Sequence, residues 1–380
     1  MTKTTNSEPS NATKKIAVFI SFSGQGGVER MIVNLTAEFV EQGYQVDLVL
    51  AKAKGQHFEA VAPGVRIVKL GSKHTFTSLL PLVKYLKRER PQALLVAKDR
   101  AIKVAVVARK LSGHSCRVVG RLGTTASAAL EHSNWFKRWS WYAGMSHFYP
   151  QLDQLVTVSK GVADDVLQIT DMDPAQITVI RNPVVTPDIY QRAKQPVEHP
   201  WFEDDGDPIV MGAGRYTRQK DFPTLLKAIA QVRQSLPCRL MILGDGKAEQ
   251  KQQLLDLAES LGISDAISFP GFVKNPYAYM CRAKLFALSS LWEGSPNVLT
   301  EAMALGVPVV ATDCPSGPRE ILQQGRYGPL VTMGDVNGLA LAIEQTLKNP
   351  LPGETIGEAV LEYTQKNSAS AYLRALGLSG

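Results

Sequence analysis

Short apolar runs bounded by glycine, proline and polar clusters recur along this chain, and most of the stretches between them carry apolar residues at helical spacing. Runs at 16–22, 46–50, 65–70, 93–97, 117–120, 155–159 and 177–183 read as strands buried on both faces. Between them a helix is expected from about Met31, through Ile32, Leu35, Phe39 and Val40, with Gly43 as its stop. Further helices are expected over 79–88 and 101–111. After a stretch at 186–208 that holds four prolines and an acidic cluster, the alternation resumes with strands at 209–213, 240–244, 267–269, 285–288 and 307–311. Strand and helix in alternation predict an α/β fold of two doubly wound, Rossmann-like parallel sheets. The expected organisation is a disordered leader over 1–14, a first domain over 15–195 and a second over 205–355.

The stretch from Leu291 to Leu305 organises the second half. It reads as a loop feeding a helix. Pro296 suits the first turn, Val298, Leu299, Ala302, Met303 and Leu305 make an apolar face, and Gly306 and Pro308 stop it. The N–H groups near Asn297, Val298 and Leu299 form a phosphate cradle, because a helix N-terminus carries about half a positive charge. Glu293 lies before that turn and Glu301 about one turn in. Carboxylates repel phosphates but accept hydrogen bonds from sugar hydroxyls. The ligand that fits is a diphosphate with a sugar at each end, a nucleotide-sugar. At 209–221 a strand ends in Gly212-Ala213-Gly214, and Arg215 and Lys220 then precede a helix. Two cations beside a phosphate cradle can neutralise its charge without a metal. The turn Ser23-Gly-Gln-Gly-Gly27 after the first strand, with Gly26 and Gly27, is a second device for close approach to phosphate.

The run from Glu293 to Asp313, with its Glu-x7-Glu spacing and with Gly294, Pro296, Asn297 and Gly306 in place, resembles the donor-site signature of the retaining glycosyltransferases of family 4, which have the two-domain GT-B architecture. Gly214-Arg215 with Lys220-Asp221 resembles that family's motif for the donor diphosphate, and Gly271-Phe272-Val273 resembles the segment whose backbone meets the nucleobase. Asp313-Cys-Pro-Ser-Gly-Pro-Arg-Glu320 is similar to a bacterial subset that builds surface or lipid-linked glycans. The resemblance implies two domains facing a cleft, acceptor side first and donor side second, with 356–380 returning to the first domain. It places Gly26 and Gly27 across the cleft near the donor phosphates and sugar, and Arg121 and His132 on the acceptor side. Glu301 would hold the ribose and Glu293 the transferred sugar, while Arg215, Lys220 and the helix N-terminus stabilise the departing diphosphate. The implied reaction is metal-independent, needs no cofactor and retains anomeric configuration. It moves a hexosyl or N-acetylhexosaminyl group from a UDP-sugar to a hydroxyl of a lipid-linked or polysaccharide acceptor. Asp205-Gly-Asp207 has the form of the metal-binding Asp-x-Asp of another glycosyltransferase architecture, but it falls in the linker stretch rather than after a strand.

Composition narrows the partners. Apolar residues at 44% and charged residues at 20% fit a globular protein. No apolar run approaches the roughly 20 residues that span a bilayer. Four cysteines without paired spacing read as reduced core residues of a cytoplasmic protein. The net charge of +7 is concentrated in the first half, since residues 1–200 hold 26 Lys and Arg against 16 Asp and Glu, or +10. That half suits an anionic partner such as a lipid phosphate or the inner face of a membrane, and nothing in it is a nucleic-acid motif. In Asn134-Trp-Phe-Lys-Arg-Trp-Ser-Trp-Tyr142, aromatic residues at helical spacing alternate with cations. This fits an interfacial helix near headgroups, or equally a helix packed on the sheet with its cations outward. Two rival functions share the cradle: a nucleotide-sugar epimerase, which would need acid and base groups at the sugar, and a non-catalytic nucleotide-sugar-binding protein. A nicotinamide dehydrogenase would need a glycine fingerprint with an acidic residue about twenty positions on, which is missing.

Overall fold

The structure is a computed structural model that describes residues 14–22, 27–53, 60–203 and 206–378. The leader expected over 1–14 lies outside these residues except for Lys14, as do Gly26 and Asp205. The apolar runs form strands throughout. In the first half these are β1 (Lys15–Phe22), β2 (Gln45–Ala53), β3 (Val65–Lys69), β4 (Ala93–Ala97), β5 (Arg117–Leu122), β6 (Gln154–Thr157) and β7 (Ile177–Val179). In the second they are β8 (Ile209–Ala213), β9 (Arg239–Leu243), β10 (Ile267–Gly271), β11 (Leu285–Leu288), β12 (Val309–Thr312) and β13 (Leu330–Val331).

The strands make two sheets, a seven-stranded one in the order β3-β2-β1-β4-β5-β6-β7 and a six-stranded one in the order β10-β9-β8-β11-β12-β13. Strand order reverses between β1 and β4 in the first and between β8 and β11 in the second. This is the doubly wound topology, and ligands bind it beyond the carboxyl ends of the strands at the reversal. In the second sheet, alternate residues of each strand enter opposite layers, as a two-residue period requires. Met211, Met241, Phe286, Val309 and Ala311 pack with Leu299, Ala302 and Met303. Val210, Leu240, Ile242, Leu285 and Val310 pack on the other face with Leu225, Ile229, Leu254 and Leu339. Both faces are covered, which is why these strands are apolar at every position rather than at alternate ones.

Several boundaries depart from the sequence pattern for local reasons. The strand expected over 177–183 stops at Val179, ahead of Asn182-Pro183, where proline has no N–H for a ladder. Pro296 is the N-cap, with extended φ −70° and ψ 98°, and the helix runs over Asn297–Ala304. Part of the stretch at 186–208 is the helix Ile189–Ala193, whose Ile189 and Ala193 enter the core of the second sheet. Three of the four cysteines are buried, but Cys281 is exposed, at the end of the short helix Pro276–Met280.

By contact density the described residues divide into two compact units, one within 1–121, 151–154 and 373–380 and the other within 122–150 and 155–372. In the first unit, Leu373, Leu376 and Leu378 are buried. Arg117 Nε donates to Ala375 O at 2.7 Å, and Tyr44 Oη to Leu378 O at 3.0 Å.

Candidate active site at the reversal of the second sheet

β8 and β11 are neighbours where the strand order turns, so the loops that leave their carboxyl ends meet. The loop after β8 begins at Gly214, with φ +150°. A side chain there would be strained, and its Cβ would stand 2.7 Å from Lys220 Cε; glycine lets the lysine fold back across its own loop. Backbone and side-chain bonds then knit this loop to the one after β11. Leu291 N donates to Gln219 O at 2.8 Å, and Gln219 Nε2 to Trp292 O at 2.8 Å. Ser289 Oγ donates to Lys220 O at 2.7 Å.

The centre of the site is an ion pair. Lys220 Nζ lies 2.6 Å from Glu293 Oε1, and the same oxygen accepts Ser290 Oγ at 2.8 Å. The two side chains are only 15% and 10% exposed, so the pair is largely withdrawn from water and its attraction is only weakly screened. Thr312 Oγ1 donates to Ser290 O at 2.6 Å and so fixes Ser290 from β12. The Glu293 backbone is tied as firmly. Glu293 N donates to Pro315 O at 2.7 Å, and Glu293 O accepts Thr125 Oγ1 at 3.1 Å. Gly294 can have no side chain, because a Cβ would lie 2.3 Å from Gly123 O.

Four residues on, the helix Asn297–Ala304 begins. Leu299 and Thr300 return their N–H groups to Pro296 O at 3.1 and 3.3 Å. That leaves the N–H groups of Asn297 and Val298, rather than Leu299, to meet a ligand. Asn297 Oδ1 accepts Asn182 Nδ2 at 2.8 Å, which sets the first turn. Glu301 is 1% exposed, and Tyr277 Oη donates to its Oε1 at 3.4 Å. The Arg192 guanidinium lies over that ring, 4.7 Å from its centroid.

The structure thus brings Lys220 and Glu293 into direct contact, with Gly214 against the Lys220 stem and with Asn297, Val298 and Glu301 following on one short helix. Arg215 is solvent-exposed on the same loop as Lys220. Phe272 and Val273 follow β10, with Phe272 38% exposed. His132 is exposed and its Nε2 lies 2.7 Å from Arg218 Nη2, on the loop that carries Lys220. Arg121 is buried on β5 and Gly27 opens the helix Gly27–Glu41; both belong to the first unit. Ser290, Thr312 and Tyr277 are supporting residues that the pattern of the chain does not mark. Ser290 has the faintest signal, as a polar residue just past an apolar strand at the reversal. Burial pushes the Cys314 thiol, behind Glu293, up to about 12, so it is protonated at neutral pH and is no nucleophile.

Chemically, the loops assemble a carboxylate fixed by two donors, two cations and an open helix terminus within one reversal. That set can hold an anionic diphosphate and the hydroxyls beside it.

Residues 25–187 match the family model described as Glycosyltransferase Family 4, and residues 207–349 match the one described as Glycosyl transferases group 1. The N-acetylgalactosamine-N,N'-diacetylbacillosaminyl-diphospho-undecaprenol 4-alpha-N-acetylgalactosaminyltransferase of Campylobacter jejuni is 28% identical, covering 88% of this chain and 91% of its own. The lipopolysaccharide core biosynthesis glycosyltransferase LpsE of Rhizobium meliloti is 27% identical, covering 93% and 97%. Among solved structures, Anabaena HepE in complex with UDP and glucose superposes with a TM-score of 0.75 at 19% identity, covering 96% of this chain and 99% of that one. The apo lipopolysaccharide outer core galactosyltransferase WaaB superposes with a TM-score of 0.70 at 19% identity, covering 96% and 99%.

Proposed function

The chain belongs to the glycosyltransferases, its first half to Family 4 and its second to group 1, and from that premise we propose that it transfers a hexosyl or N-acetylhexosaminyl group from a UDP-sugar to a hydroxyl of a lipid-phosphate-linked or polysaccharide glycan, with retention and without a metal. The observation that carries the reading is the Lys220–Glu293 pair beside the open N-terminus of Asn297–Ala304.

As the sugar–phosphate bond breaks, charge builds on the diphosphate. Lys220, Arg215 and the N–H groups of Asn297 and Val298 meet that charge, and preorganised donors of this kind contribute about 3 kcal/mol each to the barrier. Glu293 is held by Ser290 and Lys220 and accepts from hydroxyls of the transferred sugar. Glu301, braced by Tyr277, accepts from the ribose. The acceptor proton goes to an oxygen of the departing phosphate. The relatives named for a diphospho-undecaprenol glycan and for lipopolysaccharide core support an acceptor of that class, met at the inner face of a membrane.

The test is calorimetric titration of UDP, GDP and ADP into the wild type and Glu301→Ala, in buffer containing EDTA. UDP binding best, and weakening in the variant, supports the donor site and its independence of metal. Indifference of the variant to every nucleotide would remove the assignment of 293–301. The anomeric proton coupling of the product then reads retention directly.

A further inference from the structure

The helix Trp135–Phe148 is not used by the donor site. Its start is set by Asn134, whose Oδ1 accepts Lys137 N at 2.8 Å. From there the fold gives it little cover. Every residue of 134–140 is exposed, and Met145 is the helix's fully buried residue. At about 100° per residue, Trp135, Trp139 and Ala143 fall on one stripe with Phe136 beside it, turned well away from Met145. Trp135, Phe136 and Trp139 are 72%, 61% and 60% exposed, and their rings touch one another, with centroids 5.9 and 6.1 Å apart. By the same count Lys137 falls about 100° beyond Phe136 and Arg138 about 60° before Trp135, and both are exposed. The helix contains no Asp or Glu.

We propose that this helix is a membrane-docking element that seats the protein on an anionic lipid surface. Trp135, Phe136 and Trp139 would lie at the boundary of headgroups and acyl chains, and Lys137 and Arg138 at the phosphates. Indole and phenyl rings are at home in that boundary, where one end is apolar and the other wet. Cations on long stems reach the phosphates while their methylenes stay beside the rings. A surface helix of this kind sinks about 5–10 Å into the interface and does not span. Charge chooses the bilayer over a protein partner. A cationic aromatic helix start with no acid of its own complements a sheet of phosphates, whereas the same face on a second copy would meet its own two cations. The purpose of such a seat, bringing the enzyme to a membrane-borne acceptor, rests on the proposed reaction; the docking does not, and it is measured without sugar transfer.

The experiment is co-sedimentation of the whole protein with vesicles of phosphatidylcholine alone and of phosphatidylcholine mixed with phosphatidylglycerol, with UDP binding as the control for fold and site. The wild type is expected to bind the mixed vesicles far better, and less well as salt rises. K137Q/R138Q is expected to lose roughly thirtyfold of that partitioning, and W135S/F136S/W139S at least tenfold on either vesicle, both with UDP binding intact. Absence of wild-type binding, or retention of it in both variants, overturns the proposal. So does self-association of the wild type without lipid that the serine variant abolishes, because the face then belongs to a second copy. Vesicle binding together with failure to bind any nucleotide would leave the docking standing and remove the transfer reading.

Discussion

Lys220 and Glu293 neutralise each other in a place water barely reaches, so removing either alone strands a charge. Lys220→Ala should lower kcat/KM about a hundredfold through loss of one diphosphate contact, and should also destabilise the fold by about 3 kcal/mol because Glu293 is left unpaired. The two effects separate in K220M/E293Q. Stability, read by chemical denaturation, should largely return, while activity should not. Gly214→Ala tests the same pair through the backbone. Its new Cβ displaces Lys220 at a left-handed position, and kcat should fall without any change of charge. The cysteines separate by environment. Burial lifts the Cys116 and Cys238 thiols to about 11 and the Cys314 thiol to about 12. Iodoacetamide at pH 8 should therefore label Cys281 first, as peptide mapping would show.

At the scale of elements, the N-terminus of the helix Lys160–Ile169 is held twice. Ser159 Oγ accepts Val162 N at 3.3 Å, and Glu320 accepts the N–H groups of Lys160 and Gly161 at 3.0 Å each and Arg181 Nη1 at 2.8 Å. Burial opposes ionisation of Glu320, but these N–H groups and the guanidinium outweigh it and hold the carboxyl below the usual glutamate range. Its stabilisation is thus complete above the unfolded value of about 4.3 and disappears as pH falls through the lower folded value. Glu320→Gln should cost about 1–3 kcal/mol at pH 7 and flatten the stability profile below pH 4. The elements themselves were legible in the sequence, because strands covered on both faces are continuous apolar runs with glycine or proline at their ends. The stretch proposed as the donor cradle could be picked out in the sequence, since Glu293, Pro296, Asn297 and Glu301 lie within nine residues. Its braces were not. Tyr277 reaches Glu301 from another helix, Asn182 reaches Asn297 from the other half of the chain, and Thr125 reaches Glu293 O across 168 residues. Such pairs have no period and no local spacing; only the folded topology makes them neighbours.

For the whole molecule, the sheets follow the alternation of the sequence but the compact units do not. Residues 122–150 and 155–203 pack with the second unit, and 373–378 with the first. Nothing in a run of apolar residues states which neighbour it will pack against most densely. Removing the chain after Tyr372 should therefore damage the first unit rather than the site. Leu373, Leu376 and Leu378 are 3%, 1% and 5% exposed, and at about 1.5–3 kcal/mol for a fully buried leucine their loss should lower Tm by roughly 10 °C, while UDP affinity in the cold should hold.

The same tail has a consequence in time. A ribosome adds about 5–20 residues per second, so the interval between the emergence of Arg117 and of its partner Ala375 is on the order of 10–50 s. For most of that interval, once residues 151–154 have joined it, the seats of three leucines stand open on an otherwise formed first unit. A nascent chain is most exposed to aggregation there, and a chaperone that covers that one apolar seat until translation reaches the tail should raise the yield of this protein more than one acting after release.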